Sequence, residues 1–277
     1  MIITIPTYGR VGKQITLASI PKEWLHLTYL VVQEREYTQH LEQHGHLVNI
    51  LALPDNVRDI ATTRDWIIER FPGGSVLMLD DDLTFARRRT DDRTKFRNCT
   101  KEDLTLMFDM LEVRLTGYDH VGMSGREGAN RNTHMDLFNT RAMRVLGYNP
   151  RKIKAYELKF APGGFMCDFH MTLELLKRGY PNCVYNDFVH NQPGSNTAGG
   201  CSEQRTSETQ AAAAIHLAEM HPEYVKVVEK HTKGSWNGKA RIDVVVQWKR
   251  AFGAGQEAAV LDKGEGECTH EEGGFSL

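Results

Sequence analysis

Ser75-Val76-Leu77-Met78-Leu79-Asp80-Asp81-Asp82 is the stretch on which the fold turns. A short apolar run ends abruptly in three carboxylates. Such a run, bounded by breakers, fits a strand buried on both faces of a parallel sheet. Acids at its carboxyl end stand where open α/β sheets bind their ligands. Three adjacent carboxylates repel one another, and a hard divalent cation is one compensation, because Mg²⁺ and Mn²⁺ favour oxygen ligands. A solvated acidic turn is the other.

Upstream, apolar runs alternate with helical patterns. Ile2–Ile5, Leu27–Val32 and Leu47–Leu53 have strand character, and Tyr37–His44 is polar and helical. Asn56 is a plausible N-cap for a helix to Arg70, with Val57, Ile60, Ala61, Ile67 and Ile68 at helical spacing. Gly73-Gly74 breaks it before the acidic strand. Strand and helix in alternation predict a Rossmann-like, doubly wound α/β fold with a mostly parallel sheet.

Downstream, Arg87–Lys101 is strongly charged and expected to be a loop, followed by a helix over Lys101–Leu115. His120–Met123, Met135–Asn139 and Lys154–Phe160 are possible strands, and Val184–Val189 is strand-like. Phe169–Arg178 predicts a helix closed by Gly179, and Thr206–Lys230 a second long helix. The expected division is one catalytic domain over residues 1–252, with a nucleotide-sugar half (1–83) and an acceptor half (84–252). The glycine-rich, acidic residues 253–277 are expected to form a flexible tail.

The 277 residues are 40% hydrophobic and 25% charged with net charge −2, which suits one large globular unit and argues against a polycation that coats nucleic acid. Five scattered cysteines form no CxxC pair, so reduced thiols are expected. No apolar run approaches membrane-spanning length and the N-terminus lacks a basic leader, so a cytoplasmic protein without membrane contact is expected.

Four motifs together resemble the family 2-like glycosyltransferases of the GT-A type. Ile3-Thr4-Ile5-Pro6-Thr7-Tyr8-Gly9-Arg10 resembles their opening strand and donor loop, and Asp80-Asp81-Asp82 their DxD motif. Arg64-Asp65 is similar to an Arg-Asn pair that they carry about sixteen residues before the DxD, the interval from Arg64 to Asp80 here. Cys167-Asp168-Phe169-His170 resembles their ED motif, with Gly179 eleven residues after Asp168. Cys167 stands where glutamate is usual and His170 where a second acid is common.

The resemblance implies roles. Pro6, Thr7, Tyr8, Arg10 and Arg64, with Asp80 and Asp81, would bind the donor, a nucleotide-sugar and by preference a UDP-sugar. Asp80 and Asp82, with His190 after the catalytic region, would hold Mn²⁺ or Mg²⁺. Asp168 would be the general base of an inverting transfer; the competing reading is that it caps the helix that follows.

For the acceptor, Thr84–Lys101 holds seven basic residues against Asp91 and Asp92, a local charge of +5 beside the DxD. Phosphate backbones favour such a patch, although a charge run is also an ordinary solvated loop. The compact size and motif arrangement resemble the phage-encoded TET-associated glycosyltransferases, which modify 5-hydroxymethylcytosine in DNA. That resemblance implies a DNA acceptor in host cytoplasm and a flipped-out base, held by Arg126, Asn130 and Phe165 or Phe169. The charge of the basic run offers Arg87, Arg88 and Arg89 to the acceptor, and Gly163 and Gly164 are further acceptor-side candidates. The polar segment Ser124–Asn132 suits hydrogen bonds to a base edge or a sugar, with a plain connecting loop as the equal alternative. The alternatives are a saccharide or small-molecule acceptor, a nucleotidyltransferase, and a non-catalytic DNA-binding module. Only Gly9 and Gly12 follow strand one, which disfavours the nucleotidyltransferase.

Overall fold

The computed structural model describes residues 1–192, 206–231 and 240–265. In chain order the elements are β1 (Ile2–Pro6), α1 (Lys22–Leu25), β2 (Thr28–Gln33), α2 (Tyr37–His44), β3 (Asn49–Leu53), α3 (Ile60–Arg70), β4 (Val76–Leu79), β5 (Thr84–Arg88), β6 (Phe96–Asn98) and α4 (Lys101–Gly117). There follow β7 (His120–Gly125), α5 (Arg126–Ala129), β8 (Asp136–Phe138), β9 (Val145–Tyr148), α6 (Pro150–Ala155), α7 (Cys167–Lys177), β10 (Asn182–Asn191), α8 (Ser207–Met220), β11 (Val225–Lys230), β12 (Arg241–Val246) and α9 (Trp248–Glu265).

The period-2 alternation of strands sends successive side chains to opposite faces, and the central sheet uses both. Ile3, Ile5, Leu77 and Leu79 pack with Met107, Phe108, Leu111 and Leu115 of α4 in one core. Val31, Val76, Met78 and Leu146 pack with Ile67 and Ile68 of α3 and Met171 and Leu175 of α7 in the other. The strand order is β3-β2-β1-β4-β9-β7-β10-β5-β6, with β8 on β10. β3, β2, β1 and β4 are parallel, as are β7 and β10. β9 runs antiparallel to both β4 and β7, so a reversed strand sits between two parallel blocks, and β5 and β8 run antiparallel to β10 at the far side. The carboxyl ends of β1, β4, β7 and β10 therefore lie on one edge, and that edge also receives the amino end of β9.

Several elements depart from expectation. The N-cap of α3 is Asp59, which accepts from Ala61 and Thr62 N–H at 2.9 Å, because its carboxylate reaches both free amides of the first turn. Arg87–Lys101 is not a loop: β5 and β6 form an antiparallel hairpin through it. Lys154–Phe160 is not a strand. Asn149 accepts from Arg151 N–H and Pro150 opens helix α6, so the segment starts helical and turns at Glu157 (φ 55°). The strand at this point in the sheet is β9, too short and glycine-interrupted to stand out in sequence. The helix from Thr206 ends at Met220, because Pro222 cannot continue it, and β11 follows.

Residues 253–265 belong to α9 rather than to a flexible tail. Gly255 lies against the end of α7, where a Cβ would come within 2.4 Å of Gly179 N, so glycine here permits close packing. Residues 266–277 lie outside the described residues. β11 and β12 form a separate two-stranded sheet that packs with α7, α8 and α9 in a third core. Among the described residues, no helix is long and apolar enough to cross a membrane.

Candidate active site

At the shared strand edge, Asp81 is buried and fully engaged. Thr7 Oγ1 donates to it at 2.6 Å, and the Arg10 guanidinium forms an ion pair with it. Arg10 also pairs with Asp82 at 3.0 Å. Burial lowers the Arg10 pKa, but Asp81 and Asp82 outweigh it and hold the guanidinium above its ordinary value. The loop between Pro6 and Arg10 is fixed from its far side by Glu36, whose carboxylate accepts from Gly9 N–H at 3.0 Å, with Gly9 left-handed at φ 65°. Arg35 lies over the Tyr8 ring at 4.9 Å.

Asp80 differs from its neighbours. Arg64 approaches it at 3.6 Å, and 35% of its side chain remains exposed. Burial, with Asp82 and Asp81, pushes its carboxyl above the usual range, while Arg64 and Arg144 oppose. Arg64 is buried and donates to Cys167 Sγ at 3.0 Å. Burial would lower its pKa, but Cys167, Asp168 and Asp80 raise it above the ordinary value. One guanidinium thus links Asp80 to the segment that carries Asp168. Its neighbour Asp65 accepts from Phe160 N–H at 2.7 Å and Ala161 N–H at 2.9 Å, pinning the approach to α7.

Asp168 stands in the first turn of α7, whose N-cap is Met166 without a side-chain capping bond. The capping role is therefore not the one it fills. Phe160–Met166 leads in through Gly164, whose φ 48° and ψ −126° belong to glycine alone. A Cβ on Gly163 would come within 2.7 Å of His170 Cβ. Gly163 is buried and Gly164 exposed.

His190 is fully buried, and neither ring nitrogen has a partner in good hydrogen-bond geometry. Burial, with Arg144 and Arg141, holds its pKa down to about 3 against a weaker opposing pull from the backbone at Met123 and Met143, so it is neutral. Its donor atoms and those of Asp80 and Asp82 are not gathered into one cluster. Among the described residues, the trio whose ligand atoms lie within 4.8 Å of one another is His170, Glu174 and His221. That trio is internally satisfied: His170 Nδ1 lies 3.0 Å from His221 Nε2, and Lys177 Nζ lies 3.0 Å from Glu174 and 3.4 Å from His221 Nδ1.

The basic segment is largely paired. Arg88 is 3% exposed, and its guanidinium donates to the carbonyls of Asn186, Ala129 and Asn132 at 3.1 Å and to that of Arg93. It cannot grip an acceptor phosphate, because these carbonyls occupy its N–H groups. Arg87 and Arg97 share Asp103, Arg89 pairs with Asp91, Arg93 with Asp187 and Lys95 with Asp92. Asp103 and Asp187 lie outside Thr84–Lys101 in sequence, and counting them reduces the +5 to +3. Arg126 and Asn130 are exposed at the end of β7. Phe169 is buried in the third core, and Phe165 is half-buried.

Residues 1–200 match the TET-associated glycosyltransferases. The chain belongs to that family. Two relatives, each named beta-glucosyl-HMC-alpha-glucosyl-transferase, come from Enterobacteria phages T2 and T6; both are 25% identical over 236 residues, covering 80% of this chain and 81% of the relative. Glucosyl-3-phosphoglycerate synthase from Mycobacterium tuberculosis, solved with Mn²⁺, UDP and its product, superposes with TM-score 0.51 at 12% identity, covering 87% of this chain and 85% of that one. TarS 1–349 from S. aureus covers 79% of this chain and 66% of its own, with TM-score 0.47. The chain is a nucleotide-sugar glycosyltransferase with the GT-A fold.

In this glycosyltransferase the aspartates divide their work. Asp81 is a fixed strut for the Pro6–Arg10 loop. The Asp80 carboxylate accepts no hydrogen bond from the described residues and keeps solvent access, which leaves its oxygens open to a hard cation. The carboxylate donor set fits Mg²⁺ or Mn²⁺, and Arg10 and Arg64 balance the acids without one. Sequence reasoning missed Glu36, Arg141 and Arg144. Nothing local marks them; the last two reach the site only through the reversed strand β9.

Proposed function

We propose that this glycosyltransferase moves a sugar from a UDP-sugar to the hydroxymethyl group of 5-hydroxymethylcytosine in DNA. Asp80 and Asp82 would hold Mg²⁺ or Mn²⁺, and Asp168 is the general base of an inverting displacement. The observation that carries the reading is the link from Asp80 through Arg64 to Cys167 and Asp168, in a chain of this family. A bound divalent cation neutralises charge on the departing diphosphate. The Pro6–Arg10 loop, braced by Asp81 and Glu36, walls the donor pocket. Arg64 holds Asp80 and Asp168 in register across the cleft. Asp168, free of capping, takes the proton of the acceptor hydroxyl. The acceptor base leaves the duplex stack to reach it, past the exposed Arg126, Asn130 and Gly164.

The names of the phage relatives favour a second reading, in which the acceptor hydroxyl belongs to a glucose already on the base. One experiment separates the two. Unmodified, hydroxymethylated and β-glucosyl-hydroxymethylated duplexes are incubated with a panel of nucleotide sugars and Mn²⁺, digested to nucleosides and weighed by mass spectrometry. A hexose gain on 5-hydroxymethylcytosine supports the first reading, and a gain only on the glucosylated base supports the second. No gain on any DNA, with transfer to a saccharide, overturns both. The anomeric coupling constant of the product tests Asp168: an α-linked product from an α-linked donor is retention, which a single displacement cannot give.

A further inference from the structure

Arg141 and Arg144 precede β9, on the strand edge that carries Asp80 and His190. Because β9 is antiparallel to β4, its entry point lies opposite the exit of β4, and Arg144 C=O accepts from Asp80 N–H at 3.0 Å. Arg144 holds φ 65°, a left-handed conformation uncommon outside glycine that is maintained only where the surroundings impose it and that clusters at ligand sites. Arg141 lies over the Phe169 ring at 4.7 Å, next to Asp168 in the chain. One arginine therefore flanks the DxD and the other the base segment.

Among the described residues neither guanidinium makes a hydrogen bond or an ion pair, in contrast to Arg10, Arg64, Arg87 and Arg88. Arg141 reaches solvent with protein packed around it; that packing lowers its pKa, Asp168 opposes as the strongest charge influence, and Arg144 and Arg241 add to the lowering against Asp243. His190 beside them is fully buried with both ring nitrogens unpartnered. Two cations that both act on the buried His190, with no acid in ion-pair reach among the described residues, are suited to an anion from outside.

We propose that Arg141 and Arg144 form a phosphate-binding subsite at the mouth of the active site, which takes a phosphoryl group of the donor diphosphate or of the acceptor's DNA backbone. The inference rests on the glycosyltransferase reading for the identity of the ligand, but not for the existence of an anion site. Binding separates the two. Isothermal titration of wild type, Arg141→Gln and Arg144→Asn (asparagine tolerates the left-handed backbone) is run with inorganic pyrophosphate, UDP and uridine at fixed Mg²⁺. Fluorescence anisotropy follows a labelled hydroxymethylated duplex across a salt series. Melting curves check that the variants fold.

A donor subsite predicts UDP and pyrophosphate affinity at least tenfold weaker in folded variants, with uridine unchanged. A DNA subsite predicts weaker duplex binding and a log–log salt slope shallower by about 0.9 for each phosphate no longer neutralised, with UDP unchanged. If each variant stays within twofold of wild type for every ligand, the subsite is overturned while the glycosyltransferase reading stands. Arginine-dependent pyrophosphate binding in a protein that binds neither UDP nor DNA keeps the subsite and removes the proposed substrates. A wild type that binds none of the probes overturns the subsite. If Arg144→Asn does not fold, Arg144→Lys, which keeps the charge and loses the two-pronged fork, replaces it with the same expected directions.

Discussion

Buried arginines serve opposite purposes at the two sides of this sheet. Arg10, at the end of β1, spends its charge on Asp81 and Asp82 and makes an acidic strand end compatible with burial. Arg88, at the end of β5, meets no carboxylate; its guanidinium donates to four backbone carbonyls and ties the hairpin to the segment after β7. The acidic strand end uses arginine to hold charge in place, and the hairpin side uses it to hold chain in place. A cation counted in sequence is therefore not a cation offered to a partner. What it offers depends on which acceptors the fold has already brought to it.

The largest effects are expected at the acidic strand end and at Asp168. Asp168→Asn keeps size and hydrogen bonding but loses basicity, and kcat is expected to fall by about 10²–10⁴ with donor affinity preserved. Near-normal turnover in that variant removes Asp168 as the base. Asp82→Asn is expected to cost about 10²–10³ in turnover, the usual scale of lost electrostatic stabilisation, with a smaller drop in melting temperature than Asp81→Ala because Arg10 keeps Asp81. Full activity in excess EDTA would contradict a metal at these carboxylates.

Asp81 sharpens the contrast between chemistry and scaffolding within the same motif. Asp81→Ala leaves Arg10 buried without its main partner, and breaking such a pair costs about 3–5 kcal/mol. Its signature is the larger drop in melting temperature, whereas Asp82→Asn loses mainly activity. If Asp81→Ala melts like wild type, the strut assignment fails.

On the hairpin side, Arg88→Ala strands buried carbonyls and is expected to destabilise by about 1–3 kcal/mol. Arg89→Ala removes an exposed pair with Asp91 and should stay within about 0.5 kcal/mol. Equal melting temperatures for the two variants would erase the difference between strut and surface. For DNA, Arg126 and Arg131 are exposed and have no ion-pair partner among the described residues. Their double alanine variant should flatten the salt dependence of duplex binding by about 0.9 for each phosphate that the wild type neutralises through them. Arg89→Ala alone should change it little.

Buried histidines give the most gradual effect. Burial holds His120 and His40 down to about 4 from an ordinary 6.5, so the folded state refuses protons that the unfolded chain accepts. Their contribution to stability is complete above pH 6.5 and is lost as pH falls toward 4, at roughly 1.4 kcal/mol per pH unit for each group. Chemical denaturation across that window should show a shallower slope in His120→Asn than in wild type; identical slopes would mean that His120 does not titrate as described.

The strands up to Asp82 were legible because β1, β2 and β4 are buried on both faces, and such strands announce themselves as apolar runs; the half-buried edge strand β3 still carries enough apolar residues to read as one. The helix end at Gly179 was legible because a left-handed C-terminal residue selects glycine, and it stands at φ 79°. The end of α8 at Pro222 was also available in sequence, since proline stops a helix by local sterics, but the alanine-rich pattern before it masked the signal. Strand β9 was not legible. Four residues, one of them glycine, carry almost no periodic signal, and they become a strand because β4 and β7 supply hydrogen-bonding edges on either side. With β9 went Arg141 and Arg144, whose place at the site depends on the reversal of that strand.

Sequence by itself determined the chemistry: three carboxylates at a strand end, a basic residue sixteen before them, and an acid in the first turn of a later helix. These features are local, because each depends on residue type and on spacing within one element. Tertiary structure alone decided which charges were spent. Asp103 and Asp187 come to the hairpin from α4 and β10, Arg88 finds carbonyls from two distant segments, and Arg10 reaches Asp81 across more than seventy residues. An ion pair is set by distance in space and by the dielectric around it, and neither quantity is written in the order of the chain.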